Sequence, residues 1–189
     1  MVKTQLDVFA AGNAPVGLRY EPGLVTTDQE RELLDRIGEL PLKEFEFHGY
    51  VGKRRVISYG WHYDFGDRML RQAAAIPNWL LPVRARAGEF AGIAPSELQH
   101  VLITEYGAGA AIGWHRDKAV FGDVIGISLL SSCRFRLRRK AGGSWERVSF
   151  EAEPRSAYLL RGPSRTEWEH SIPPVEQLRY SVIFRSLRA

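Results

Sequence analysis

A chain of 189 residues, 44% hydrophobic and 25% charged, has ordinary globular composition and is long enough to bury a core without covalent staples. Its one cysteine, Cys133, excludes an internal disulfide and fits a reducing compartment; no apolar run approaches the roughly 18 residues of a membrane span, and the first residues lack the basic-then-apolar pattern of a secretory leader. A formal net charge of +4 permits a nucleic-acid partner without demanding one, and the expectation is one cytoplasmic, monomeric domain over residues 1–189.

The first predicted element is a short strand, GLRYE, ahead of Pro22. A helix from Asp28 to Leu40 follows, with Thr27 as N-cap, Glu30 closing a T-x-x-E capping box, Leu33, Leu34, Ile37 and Leu40 as its apolar stripe, and Pro41 as its stop. Residues 45–65 read as two short strands around a Gly-containing turn. There Lys53, Arg54 and Arg55 precede the alternating rings Tyr59, Trp61, Tyr63 and Phe65. Either this is a nucleic-acid lid, with charges on phosphates and rings on bases, or the rings face a core and the basic triplet is a solvated turn. A second helical region is predicted from Arg68 to Ala91, interrupted near Pro77, with Leu80, Leu81, Val83, Ala87 and Phe90 covering a sheet and Arg84 and Arg86 as surface charges.

From His100 onward the chain reads as strands: VLITEY, VIGISLL, CRFRLRRK, WERVSFEAE, SAYLLRG and YSVIFRSL, short, rich in β-branched and aromatic residues and punctuated by Gly-Gly, Pro and Gly-Pro. The predicted class is α+β, a double-stranded β-helix (jelly roll) with supporting N-terminal helices, a candidate lid at 45–65 and a core at 100–189. Arg134, Arg136 and Arg138 share one face of their strand, opposite Phe135 and Leu137. They form either a phosphate-contacting edge or a solvated outer face paired with Glu151 or Glu153. Cys133 reads as packed, and His48 and His100 as ordinary structural or surface residues.

The chemistry concentrates in HVLITEYGAGAAIGWHRD, residues 100–117. On an extended segment the period of two puts His115 and Asp117 on one face and turns Arg116 away. A non-haem Fe(II) site takes two histidines and one carboxylate, and His170 is the candidate third ligand. H-x-D alone is weak, since His62-Tyr63-Asp64 is a second copy; the apolar strand leading into His115 separates the two. Arg179 and Arg185, an even six residues apart, would face one way on a strand. A pair of arginines suits a dicarboxylate co-substrate.

The combination of H-x-D, a later His and R-x5-R resembles the AlkB family of Fe(II)/2-oxoglutarate dioxygenases, from about Tyr20 onward and most strongly from Val101 to Arg185. The resemblance implies His115, Asp117 and His170 as iron ligands, Arg179 and Arg185 as 2-oxoglutarate residues, and O2 as oxidant. It also implies Tyr106, Thr104 and Ser181 beside the co-substrate, Thr104 and Ser181 standing where other members carry Asn. The implied activity is oxidative dealkylation of N-alkylated nucleobases in DNA or RNA. A flipped base would stack on Tyr59, Trp61 or Trp168, and Arg54, Arg55, Arg134 and Arg136 would contact the strand. Trp114 reads instead as core packing. One departure is Ala119, two positions after Asp117, where repair members place an acidic residue; Asp123 is the nearest later carboxylate. Two other readings stand: the same chemistry on RNA only or on a protein side chain, and a β-barrel binding module without turnover.

Overall fold

Strands with one apolar face must cover it, and in this chain two sheets largely cover each other. The computed structural model describes residues 14–47, 50–64 and 66–188. Its strands are β1 (Leu18–Glu21), β2 (Lys43–Phe47), β3 (Tyr50–Tyr59), β4 (Trp61–Tyr63), β5 (Leu70–Gln72), β6 (Leu98–Tyr106), β7 (Ile112–His115), β8 (Phe121–Leu129), β9 (Cys133–Ala141), β10 (Ser144–Ala152), β11 (Ala157–Leu160), β12 (Glu169–Ile172) and β13 (Arg179–Leu187). The helices are α1 (Thr27–Gly38), α2 (Leu81–Ala91) and the single turn α3 (Pro163–Thr166). A seven-stranded sheet runs β1-β11-β8-β13-β6-β3-β2, a four-stranded sheet runs β10-β9-β12-β7, and β4 and β5 form a separate hairpin.

Between the sheets lies a core of Tyr20, Tyr106, Phe135, Leu137, Phe150 and Tyr158. The other face of the large sheet is covered by the helices, with Leu33, Ile37, Val83 and Phe90 packed against Val101, Ile103, Val182 and Phe184. This is the predicted double-stranded β-helix with helical support on one side.

Three local expectations are corrected. The N-cap of α1 is Thr26, whose hydroxyl accepts from the Gln29 amide at 3.2 Å while the Gln29 side chain accepts from the Thr26 amide at 2.9 Å. The box is one residue earlier than predicted because Glu30 is otherwise engaged: it accepts from the Leu130 amide at 2.9 Å and from Arg155 at 3.0 Å. The second helical region is shorter than predicted. Residues 70–72 pair with β4, a 3-10 turn spans Asn78–Leu80, and α2 alone is helical up to Gly92, whose φ of 68° supplies the left-handed stop. Leu81 lies outside the covering set, at 41% exposure. Finally, β9 is no edge, since β10 and β12 flank it. Arg84 and Arg86 stay at the surface but cap carbonyls, of Leu98 at 2.9 Å and Leu24 at 2.8 Å.

Gly60 ends β3 at a φ of 75°, and a Cβ there would stand 2.0 Å from the carbonyl oxygen of Gln99. Both the dihedral and the close approach demand glycine. Gly60→Ala is expected to destabilise the protein by about 1–3 kcal/mol, measured by chemical denaturation, by displacing the β4–β5 hairpin from β6.

Candidate metal and co-substrate site

The register of the large sheet aims one set of β13 side chains into the space between the sheets. Directly opposed residues share a face, so Arg179 stands in a row with Tyr106 and Arg54, Ser181 in a row with Thr104 and Ser128, and Arg185 in a row with His100 and Val124. Val182 and Phe184 point the other way, into the helix-covered core. The even spacing read in the sequence therefore holds, and both arginines enter the same interior.

Across that interior the small sheet supplies the second cluster. His170 on β12 is the direct cross-strand partner of His115 on β7, with ring centroids 4.2 Å apart. Asp117 follows just beyond the end of β7, and the ligand atoms of His115, Asp117 and His170 all lie within 4.8 Å of one another. Arg116 turns away and donates to the Thr166 carbonyl at 3.1 Å. The Nδ1 of His115 sits 2.9 Å from the Gly113 carbonyl oxygen. A carbonyl only accepts, so Nδ1 carries the proton and Nε2 presents its lone pair to the cluster. Phe135 stacks on the His170 ring at 5.4 Å and fixes its plane.

Charge and burial set the protonation of this cluster. Burial acts to raise the Asp117 carboxyl, but Arg185, with His170 and His115, holds it well below the usual carboxylate range. Arg185 donates to both carboxylate oxygens at 3.2 Å and to His100 Nδ1 at 3.3 Å. Burial first, then His115, pushes His170 down to about 3, against the opposing pull of Asp117. His100 is lowered too, by burial and then Arg185. At neutral pH the cluster thus offers an anionic carboxylate and a neutral imidazole at His170, the state a divalent cation requires.

The loop behind Asp117 is clamped. Arg165, 5% exposed, donates to the carbonyls of Lys118 at 2.6 Å, Phe121 at 2.9 Å and Gly122 at 3.1 Å. These contacts tie the segment after Asp117 to the segment before His170. Sequence reasoning missed Arg165, because nothing in its neighbours marks an arginine that will be buried against carbonyls.

The same interior holds a candidate site for an anion. Arg179 is 2% exposed, and only its Nη2 has a partner, Ser128 Oγ at 3.0 Å; its Nε and Nη1, and the Oγ of Ser181, are buried without one. Its Cζ lies 4.5 Å from the centre of the Tyr106 ring. A buried guanidinium with unpaired donors is costly unless an acceptor arrives, and a carboxylate fits its planar fork. Thr104, 2% exposed, lines the same row as Ser181.

The other sequence candidates scatter. Tyr59 is buried in the helix-side core, so the core reading holds for it and it offers no face to a base. Arg55 points out of the barrel and pairs with Glu105 at 2.7 Å, whereas Arg54 points in, its guanidinium 4.4 Å from the Phe45 ring. The two tryptophans exchange roles: Trp168, at 5% exposure, is packed between the sheets, while Trp114 lies half-buried on the outer face beneath Arg136 and Arg138. Trp168 therefore has no free ring face for a base, because it precedes a strand whose alternate residues point inward. Arg134 and Arg136 also lie on the outer face, bonded to Ser149 and Ser171, and Arg138 pairs with Glu169 rather than Glu151 or Glu153. Trp61 is half-buried in the β4–β5 hairpin, and Tyr63 of that hairpin meets Lys118 at 5.5 Å. Phe65 and His48 lie outside the described residues. The second H-x-D is set apart: His62 is exposed and Asp64 is spent on the Gly66 amide and Arg71. Asp123 pairs with Arg161 at 2.9 Å and so does not replace the missing acid at Ala119, which sits in an exposed turn.

This fold with this cluster defines a class, and comparison with known proteins agrees. The family model described as the 2OG-Fe(II) oxygenase superfamily matches residues 17–185, and the chain belongs to that superfamily. It accordingly works with Fe(II), 2-oxoglutarate and O2. A curated relative, the alkylated DNA repair protein ALKBH8 homolog of Arabidopsis thaliana, is 28% identical over 91% of this chain; the chain spans 56% of that relative's length. Among solved structures, OsALKBH1 superposes with a TM-score of 0.69 at 16% identity, covering 92% of this chain and 97% of its own. A Pseudomonas putida prolyl-4-hydroxylase gives 0.62 at 14% identity, covering all of both chains. At those identities the structural matches speak for the fold. No helix among the described residues is long and apolar enough to cross a membrane.

Both depressed histidines are neutral when folded and take up protons near the ordinary imidazole pKa of ~6.5 when unfolded. The unfolded chain therefore binds protons first as pH falls, and stability is lost with acid. For metal-free protein the expected loss between pH 7 and pH 5 is about 2 kcal/mol per buried histidine, read as a falling denaturation midpoint. A midpoint that does not move would mean His100 and His170 are not held neutral.

Proposed function

We propose that this chain is an Fe(II)/2-oxoglutarate-dependent dioxygenase that removes N-alkyl groups from nucleobases in DNA or RNA. His115, Asp117 and His170 hold the iron, and Arg179 receives the distal carboxylate of 2-oxoglutarate. The observation that carries the reading is the pairing of a convergent His-Asp-His cluster with a buried arginine whose Nε and Nη1 lack an acceptor. Neither feature stabilises an empty protein, and each matches one part of the same pair of cofactors. Bound there, Fe(II) with 2-oxoglutarate and O2 supplies oxidation of a C–H bond, 2-oxoglutarate leaving as succinate and CO2; an N-hydroxymethyl product then sheds formaldehyde and leaves an N–H base.

The chain's own residues do the positioning. Tyr106 covers one face of the Arg179 guanidinium, and Ser181 offers a hydroxyl to the same anion. Arg185 orients Asp117 through two hydrogen bonds, and His100 braces Arg185 from behind. Nucleobase substrates are supported by the name of the Arabidopsis relative, by inward-facing Arg54 in the Arg179 row, and by the Trp61-bearing hairpin close to the segment after Asp117. Ala119, exposed where an acid would read a cationic base, supports a second reading: the same chemistry on RNA only or on a protein side chain.

Mass spectrometry of 1-methyladenine and 3-methylcytosine in single strands, duplexes and RNA, incubated with Fe(II), ascorbate and 2-oxoglutarate, tests the reading. Demethylation lost in His115→Ala and kept in His62→Ala supports it. Succinate without demethylation moves the substrate elsewhere. Arg179→Gln is expected to raise the 2-oxoglutarate concentration needed for half-maximal turnover by about 30-fold or more, the order of a lost buried charged hydrogen bond. An unchanged requirement would remove Arg179 from the co-substrate site.

A further inference from the structure

The outer face of the small sheet carries a feature that the iron site does not use. In the register of β9 with its neighbours, inward residues such as Phe135, Leu137 and His170 alternate with an outward set: Arg134, Arg136, Arg138 and Lys140 on β9, Trp145 and Arg147 on β10, and Trp114 on β7. Trp145 is opposite Lys140, and Arg147 is opposite Arg138. The two indoles close on the central arginine: Arg138 lies 4.4 Å from the Trp114 ring and 4.2 Å from the Trp145 ring. Arg136 flanks Trp114 at 4.9 Å and Lys140 flanks Trp145 at 5.8 Å. The result is a ladder in which the cations of β9 alternate with rings contributed by β10 and β7.

Like charges stacked this closely repel, and cation–π contacts worth about 0.5–1 kcal/mol each at exposed sites hold them only in part. The face supplies little counter-charge. Its carboxylates are Glu169, taken by Arg138 at 2.7 Å, and Glu151, opposite Arg134, against the five cations Arg134, Arg136, Arg138, Lys140 and Arg147. Among the described residues, Arg134 and Arg136 bond only to serine hydroxyls, and no ion pair joins Arg134, Lys140 or Arg147 to an acid. The ladder is also continuous with the active centre. Trp114 is the residue before His115, so the edge strand β7 bears the ladder on one face and a proposed iron ligand on the other.

We propose that this face is a second binding surface for the same nucleic acid that feeds the iron site, and that it grips the sugar–phosphate backbone rather than the bases. The inference rests on the nucleobase reading for its choice of polyanion. Backbone contact follows from the ladder itself: both indoles are already flanked by cations, so they stiffen the guanidinium and ammonium groups instead of offering faces to bases. Phosphates arriving along the strand would meet Arg134, Lys140 and Arg147 with their charges unspent.

The test measures binding, not turnover. Unmodified single-stranded oligonucleotides are titrated into the full chain by fluorescence anisotropy over a series of salt concentrations, for the native protein and for Arg134→Ser/Lys140→Ser/Arg147→Ser. A control, Arg31→Ser/Arg36→Ser/Lys43→Ser, removes the same charge far from the face, and thermal melts confirm that each variant is folded. The expected result is a Kd at least ten-fold weaker in the ladder variant, with the slope of log K against log salt shallower by about 2, on the order of 0.7 per lost phosphate contact with a single strand. The control should stay close to the native protein, and thymine and adenine homopolymers should bind alike. Equal losses in the control and the ladder variant, an unchanged slope, or preferential binding of anionic phospholipid vesicles over the oligonucleotide would overturn the proposal. Failure of demethylation with ladder-dependent oligonucleotide binding intact would overturn the nucleobase reading and leave the surface standing; active demethylation with a ladder-independent Kd would do the reverse.

Discussion

A guanidinium sealed between two sheets, with two of its three nitrogens unpartnered, is the constraint on which the interior of this barrel turns. Burying Arg179 without a carboxylate works against folding, and the chain answers only in part, with one serine hydroxyl and the face of one tyrosine. The row beside it, Ser181 with Thr104 and Ser128, leaves the remaining donors free. Ser181 is equally orphaned, and Thr104 opposite it is too short to reach across and fill the space an anion would take. Stability is surrendered at one point of β13, and the rest of that strand, Val182, Ile183 and Phe184, is buried apolar surface that offsets it.

The second arginine of β13 is treated in the opposite way. Arg185 is fully engaged, by Asp117 on one side and His100 on the other. Two identical side chains on one face of one strand thus do different work. One is kept hungry for a ligand, and the other is satisfied so that a carboxylate stays ionised and aimed. His100, which sequence reading left as an ordinary residue, is what completes the second environment. With Arg165 gripping three carbonyls after Asp117, the carboxylate is fixed from both its charge and its backbone, although it lies just past the end of a strand. A carboxylate on a loop needs that support more than the two histidines, which an antiparallel register already sets face to face.

How much of this was legible depends on the range over which each feature is decided. The H-x-D face and the shared face of Arg179 and Arg185 follow from period-two alternation, which survives folding because a strand has only two faces, whereas the jelly-roll class follows from the run of short strands and His170 from its place as the later histidine. Roles decided by neighbours were not legible. Tyr59 and Trp61 stand in the same alternation, yet Gly60 breaks the strand between them and leaves one in the core and the other in the hairpin. Arg54 and Arg55 are adjacent and alike in sequence, and only the register with β6 shows that Arg54 joins the Arg179 row while Arg55 meets Glu105 outside. Trp114 and Trp168 were assigned in reverse because each sits within two residues of a histidine ligand candidate, and sequence distance cannot tell which side of the sheet that places it on. The capping box slipped by one residue for a similar cause: two adjacent threonines offer the same hydroxyl, and Glu30 is claimed by residues a hundred positions away.

The distribution of positive charge bears on how a substrate is held. Inside, one arginine of the candidate lid segment, Arg54, joins the Arg179 row; outside, β9 displays its cations on the sheet face opposite His170, whose cross-strand neighbour on β9 is Leu137. The outer set has a structural cause, because a strand that must put Phe135 and Leu137 against the His-Asp-His cluster turns its alternate positions to the outer face. Nothing about packing requires arginine at all three of those free positions, and serine or threonine would solvate as well without mutual repulsion. The absence of an acid at Ala119 points the same way. On the proposed nucleobase reading, a protein with no carboxylate there to read a cationic base has less base-specific grip at the metal cluster, and a stronger hold on the strand that carries the base would supply the affinity, leaving the pocket to act on whichever alkylated base is delivered to it.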